Sequence, residues 1–486
     1  MKKAGIIGAG IAGIATAIRL ANKGYKVDVF EANSYVGGKL SEIQLGAYRF
    51  DAGPSLFTMP HLIEDLFQIS KKNIQDYFQY SKLETICKYF YEDGTILEAH
   101  ADKRKFAQEV EQKLGEPKEK ILKYLQKSAK KYEITESLFL KRSLHKLETW
   151  LNKEAFRGYM NIHTLEVFKT MNEANKSAFK NPKLVQLFNR FATYNGSDPY
   201  QTPATLTIIP HLEHNIGAFF PKGGMYAITK SLARLAEDLG VKFHLNSKVQ
   251  EIITEKNKVK GLKINDAILD FDLIISNMDM VATYKYLLPH AHHPQKLLSQ
   301  PKSSSALIFY WGIKREFPEL KVHNIFFSNH YEEEFKHIFK HKTIYQDPTI
   351  YVNIGSKGEP QDAPQGSETW FVMINTPNNE EQDWDTLITE ARKNILEKLS
   401  RLLKTDIESL IEVESILDPR TIESRTSSSQ GALYGNSSNN RYAAFLRHAN
   451  FSKEFDNLYF VGGSVHPGGG IPLCLSSAAI TANLIQ

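Results

Sequence analysis

The chain has 486 residues, 42% hydrophobic and 24% charged, with a formal net charge of +5 at neutral pH. That length favours two or three domains, or one large intertwined pair, and supports a sizeable core; the composition excludes a disordered chain and a membrane-spanning one. Two distant cysteines, Cys87 and Cys474, match no metal or redox spacing and suit a reduced, cytoplasmic setting, and no basic stripe with interleaved aromatics points to a nucleic-acid partner.

The first residues, MKKAGIIGAGIAGIATA, have the outline of a secretory signal, with two lysines, an apolar stretch and an A-T-A ending. Their glycine spacing argues otherwise, because Gly8, Gly10 and Gly13 fall at G-x-G-x-x-G, which a signal core has no reason to keep. AGIIGAG reads as a buried strand, IAGIATAIRLANKG as a helix closed by Gly24, and YKVDVFEA as the next strand, a β-α-β unit. In such a unit Gly8 permits the tight turn, Gly10 lets backbone approach a pyrophosphate, Gly13 lets the helix pack on the strand, and the helix N-terminus faces the phosphates. Glu31 stands where a carboxylate accepts hydrogen bonds from the adenosine ribose, and an acid there disfavours the 2′-phosphate of NADP.

Downstream come Gly37-Gly38-Lys39 and then Phe50-Asp51-Ala52-Gly53-Pro54-Ser55. With these the chain resembles the FAD-dependent amine oxidase and phytoene desaturase superfamily, in which a paired-glycine turn followed by a basic residue extends the dinucleotide motif. The glycines let backbone fold under the cofactor, and Lys39 can meet phosphate or ribose oxygens; a surface turn with a solvated lysine fits the same residues. The resemblance implies an α/β (α+β) fold with a Rossmann-like FAD-binding domain built from discontinuous segments, and cofactor contacts at Ala12, Gly38, Ser55 and Leu56.

From about residue 81 to 200 the pattern changes to lysine-rich helices. Residues 101–190 hold 20 Lys and Arg against 11 Asp and Glu, an excess of 20 − 11 = +9, which suits an anionic surface. Within ESLFLKRSLHKLETWLNKEAF, Leu138, Phe139, Leu144, Leu147 and Leu151 lie among cations, a candidate interfacial helix; an amphipathic helix packed on a core has the same pattern. The expectation is a cytoplasmic protein held peripherally at a membrane surface.

Residues 217–252 return to the grammar of the opening unit: Gly223-Gly224 precede a helix, Gly240 ends it, and VKFHLNSKVQEI gives two short strands. By resemblance Val249 offers backbone contacts to adenine, and Asn277, just past the strand in FDLIISNMD, lies where such proteins hold the dinucleotide. Near the end, LYFVGGSVHPGGGIPLCLSSAAI sets a glycine cluster between a strand and a helix. It resembles the terminal motif of the carotenoid desaturases, which implies Gly463 near the ribityl-phosphate side and Gly470, Ile471 and Pro472 with the last helix near the isoalloxazine. The implied division is 1–80, 217–290 and 450–486 for the FAD-binding domain, and 81–216 and 291–449 for the substrate-binding sheet domain, including the helical, membrane-facing region 101–190.

The middle stretch RFATYNGSDPYQTPATLTIIPHLEHNIGAFFPKGGM is most similar to the hydroxycarotenoid 3,4-desaturase branch. That resemblance implies a hydrophobic carotenoid substrate, hydride transfer to flavin N5, and oxygen or a quinone as the eventual electron acceptor. Phe191, Tyr194, Tyr200, Phe219 and Phe220 suit a polyene wall, though aromatic core packing explains them equally well. Asp279, Glu213 and His466 are polar candidates near turns, each as well explained by capping or loop structure, so no acid-base residue stands out. A phytoene desaturase, a flavin-dependent carotenoid isomerase and a non-enzymatic isoprenoid-binding protein on the same fold remain alternatives.

Overall fold

The computed structural model describes residues 1–440, 442 and 447–485, apart from the side chain of His163. Parts of the expected segments 291–449 and 450–486, at 441, 443–446 and 486, lie outside the described residues. The first sheet is wholly parallel and runs Leu458–Phe460, Leu273–Ser276, Lys3–Ile7, Lys26–Phe30, Lys242–His244. Its central pair is the opening β-α-β unit, and its other strands return from distant parts of the chain. The helix Ile11–Asn22 has almost no polar face; its residues from Ile11 to Ile18 are all buried. It can be so apolar because it is enclosed, sharing one core with the sheet and with the helices Tyr226–Asp238 and Ile471–Leu484. A three-stranded antiparallel sheet, Val249–Glu255, Lys258–Ile264 and Ala267–Asp270, leads into the strand Leu273–Ser276.

A second sheet has seven strands in the order Ile411–Leu417, Ser305–Ile313, Glu368–Thr376, Ile350–Ile354, His323–Phe326, Thr85–Phe90, Ile96–His100. All its pairs are antiparallel except His323–Phe326 with Thr85–Phe90. Every residue of Ser305–Ile313 is buried, so the strand shows no polar alternation. Leu307, Phe309, Trp311 and Ile313 enter a core with the helix Trp384–Leu403, while Ala306, Ile308 and Tyr310 face the opposite way, toward Tyr48 and Phe50.

The basic segment is mostly helical, with Lys103–Leu114, Lys118–Phe139, Lys153–Met160, Met171–Ala178 and Pro182–Asn189. The single interfacial helix expected through ESLFLKRSLHKLETWLNKEAF is instead two helices. The first ends at Phe139, and the second begins after Asn152, whose side chain accepts from Ala155 N at 2.9 Å. The two pack closely because Gly158 leaves room for Leu138.

Candidate functional site

The strand Lys3–Ile7 ends at Gly8, whose φ of +92° turns the chain into the helix Ile11–Asn22. A Cβ at Gly13 would stand 2.3 Å from Gly8 O, so only glycine lets the helix sit on this turn. At Gly10 a Cβ would come within 2.6 Å of Asn277 Nδ2, and Asn277 in turn donates to Gly8 O at 3.3 Å. The turn and the residue after Leu273–Ser276 therefore form one floor. Glu31 is buried beside it, accepting from Ala9 N at 2.8 Å and from Asn33 N and Nδ2 at 2.9 and 2.8 Å. These bonds fix the carboxylate at the strand end where a ribose would lie.

The paired-glycine turn closes on the same floor, with Gly37 N donating to Ala9 O at 2.7 Å. Lys39 lines the same cavity as this floor. Its ammonium donates to Ala432 O and Leu433 O at 3.2 and 3.1 Å, and burial lowers its pKa against the opposing pull of Asp279. Asp279 itself caps a helical turn, accepting from Val281 N at 2.9 Å, and its pKa is raised by burial despite Lys39. On the other side the terminal loop packs tightly; a Cβ at Gly463 would lie 3.2 Å from Gly469 Cα. A buried arginine, Arg447, clamps this loop by donating to Gly463 O at 3.1 Å and Tyr434 O at 2.6 Å, its pKa lowered to about 10 by burial. Nothing in the local sequence around Arg447 marks this role.

These walls enclose a cavity of about 860 Å³ that runs on to the face of the seven-stranded sheet. Every cofactor residue expected from the sequence lines it except Gly13, which lies behind the turn. Of the five aromatics expected along a substrate, only Tyr194 lines the cavity. Phe191 stacks on Phe188 beneath the Arg190 guanidinium, and Tyr200 packs on Phe335. Phe219 meets Phe57 and Tyr80, and Phe220 fills the space that Gly358 leaves open. Core packing is what those four do. The apolar wall comes instead from alternate residues of the sheet, among them Ile308, Tyr310, Ile325, Phe371 and Met373.

One stretch of wall is polar. Arg190 and Glu213 form a buried ion pair at 2.9 Å, and Arg190 also donates from Nη2 and Nε to Tyr89 OH at 2.7 and 3.1 Å and from Nη1 to Tyr194 OH at 3.2 Å. Burial works against the charge of Arg190, but Tyr89 and Glu213 hold its pKa above the ordinary value; burial raises that of Glu213 against the pull of Arg190. His466, the third polar candidate, lies off the cavity, with Nε2 against Arg142 O at 3.0 Å and a pKa pushed down to about 3 by burial. The cradle, where added Cβ atoms would collide, and its unbroken continuation to an apolar chamber fit the elongated FAD.

The description "Flavin containing amine oxidoreductase" matches residues 11–486. The chain is 54% identical to a 1-hydroxycarotenoid 3,4-desaturase of Flavobacterium sp. (strain P99-3), covering 100% of this chain and 99% of that one. It is 33% identical to a 4,4′-diapolycopene oxygenase of Methylomonas sp, covering 99% and 97%. Among solved structures, putrescine oxidase bound to putrescine superposes with a TM-score of 0.64 at 14% identity over 99% of this chain and 98% of that one. A RAB GDI from Plasmodium falciparum gives 0.56 at 15% over 100% and 98%. Such distant likeness speaks for the fold alone, while the match across nearly the whole sequence places this chain in the flavin-containing amine oxidoreductase family.

Proposed function

We propose that the protein is an FAD-dependent carotenoid desaturase that introduces the 3,4 double bond into a 1-hydroxycarotenoid. The observation that carries this reading is the 54% identity, over essentially both full lengths, to a protein of that activity. The cavity supports it, because a cradle for a dinucleotide opens directly onto a chamber walled by Ile308, Ile325, Phe371 and Met373. FAD, when bound, supplies a two-electron acceptor for a hydride leaving carbon. The chain's own residues position the polyene and keep water out: the sheet face offers apolar side chains, and the buried Arg447 and the N-terminus of the helix Ile471–Leu484 favour negative charge at the Gly463–Gly470 end. The hydride from one carbon and the proton from its neighbour would together be the two hydrogens that FAD takes up, and oxygen or a quinone would carry the electrons onward.

The division of labour follows. Segments 1–80, 217–290 and 450–486 hold the cofactor; 81–216 and 291–449 hold the substrate, with 101–190 toward the membrane. Leu147, Leu151, Phe156, Met160 and Phe168 are exposed together, the last by 83%, in a stretch that also carries Lys146, Lys153, Arg157 and Lys169. Apolar side chains ringed by cations suit an anionic lipid surface in which a carotene dissolves. Among the described residues no helix is long and apolar enough to cross a membrane. The turn before this stretch rests on the terminal glycine loop, through Arg142 O and Phe139 against His466.

The deciding experiment supplies phytoene, lycopene and a 1-hydroxycarotenoid separately and reads products by absorption and mass. The expected result is conversion of the hydroxycarotenoid alone to a product two hydrogens lighter with a longer chromophore. Multi-step conversion of phytoene, a mass-neutral product, or oxygen gained by the substrate would replace this reading by a phytoene desaturase, an isomerase or an oxygenase respectively.

A further inference from the structure

His323, at the start of the strand His323–Phe326, lines the cavity and is only 2% exposed. Its Nδ1 lies 2.8 Å from Tyr351 OH and 3.2 Å from Asn353 Nδ2. The orientation of the Asn353 amide is set independently, because the same Nδ2 donates to Val322 O at 3.0 Å. Nδ1 is thus an acceptor and carries no proton. Burial and repulsion from Arg190 hold the ring's pKa down at about 3, so the imidazole is neutral and its one hydrogen is on Nε2. That Nε2 is buried and has no hydrogen-bond partner.

The neighbouring polar groups leave this donor conspicuous. Arg190 is engaged by Tyr89, Tyr194 and Glu213, and Tyr351 OH is matched by Ser55 Oγ at 2.8 Å on its other side. A buried N–H left without an acceptor loses the hydrogen bond it made to water and is costly to keep. The position also suits the chemistry. Ser55 is two residues beyond Gly53, which approaches Lys39 O so closely that a Cβ there would come within 1.7 Å. The chain Ser55, Tyr351, His323 therefore ties the free donor to the loop flanking the paired-glycine turn. In a 1-hydroxycarotenoid the oxygen-bearing carbon is separated from C3 by a single carbon, so its hydroxyl must be held near the cofactor end of the cavity.

We propose that His323 Nε2–H donates to the substrate's tertiary hydroxyl oxygen and is the residue that makes the enzyme select hydroxylated over non-hydroxylated ends. This rests on the desaturase reading and adds the atom that recognises the hydroxyl. A substrate with hydrogen in its place leaves the donor unpaired in an apolar chamber, and such mismatches discriminate strongly.

Two substitutions separate the donor from the structural role of the ring. His323→Asn keeps an acceptor where Nδ1 stood, but its amide N–H groups stop short of the Nε2 position; His323→Gln keeps a donor at the reach of Nε2. The measurements are equilibrium binding to purified protein, by carotenoid absorbance, and kcat/KM, each for the 1-hydroxycarotenoid and for the same polyene without the hydroxyl. Wild type should prefer the hydroxylated compound at least tenfold in both. H323N should lose most of that ratio, and H323Q should recover part of it. A wild-type binding ratio near one, or an unchanged ratio in H323N, overturns the proposal. Binding preference without desaturation by wild type would instead overturn the desaturase reading and leave the recognition intact.

Discussion

At the scale of single residues, the cofactor cradle depends on what is missing. Gly13→Ala places a methyl 2.3 Å from Gly8 O and 3.1 Å from Asn277 Nδ2, so the helix must lift from the turn that it is meant to present. We expect G13A to purify with much less bound flavin than wild type, read from absorbance at the flavin band, together with about 2–4 kcal/mol lower stability, the range of severe overpacking. Wild-type flavin content would show that the turn does not carry the cofactor. Glu31→Ala removes the acceptor for Ala9 N and for Asn33 and should weaken FAD binding by about 1–3 kcal/mol, measured by flavin titration. These residues were legible in the sequence because the constraint is local: three glycines, a helix and an acid within one β-α-β unit. The recognition end is not local. Ser55, Arg190, Glu213, His323 and Tyr351 come from widely separated segments, and only their contacts reveal the two groups they form, Arg190 with Glu213 and Ser55 with Tyr351 and His323; Glu213 alone looked like any polar residue near a turn.

At the scale of elements, the same contrast separates strands that obey a pattern from strands that cannot. Alternation marks a strand with one wet face, but Ser305–Ile313 is buried on both faces and Glu368–Thr376 nearly so, with Met373 and Asn375 partly exposed, one face on the core with the helix Trp384–Leu403 and the other toward the cavity. Their sequences read mostly as apolar, so the cavity's apolar wall was invisible and the more conspicuous aromatics of residues 191–220 stood in for it. Helix 118–139 shows the opposite case. Its amphipathic pattern was read through into 153–160, whereas the Asn152 cap starts a new helix. The break turns Leu151, Phe156 and Met160 outward, and that exposure is testable. Replacing all three by serine removes apolar area worth about 25 cal/mol per Å² from the proposed lipid contact. Binding to vesicles containing anionic lipid should fall at least tenfold with the cavity untouched, and raising salt should weaken wild type by screening the flanking lysines. Equal vesicle retention by wild type and variant would reduce the patch to an ordinary surface.

At the scale of the whole molecule, the interior holds buried titratable groups, and several of its histidines resist protonation. His214, His323 and His466 have pKa values pushed down to about 3 and His448 to about 4, each first by burial. His214 is stacked on Phe106 with both ring nitrogens unpartnered, so nothing in the fold rewards its charge. The sign follows from proton counting. Above about pH 6.5 these rings are neutral in folded and unfolded chains alike, and they do not make stability depend on pH. Below it the unfolded chain takes up protons that the folded chain refuses, so stability present at neutral pH is lost progressively as pH falls toward the folded values. Each such ring contributes a slope of about 1.4 kcal/mol per pH unit once the unfolded group is fully protonated. Glu334 and Asp362, whose pKa values burial pushes up to about 7 and about 6, work the other way, because the folded chain takes up their protons first, so the histidine loss is isolated by substituting one ring. His214→Phe keeps an aromatic ring against Phe106 and removes one of these protons, so the urea-derived stability of the variant should fall with acid less steeply than wild type by about 1.4 kcal/mol per pH unit. An unchanged slope would mean that His214 charges without cost, and that the interior around Phe106, Phe188 and Phe191 is wetter than its packing implies.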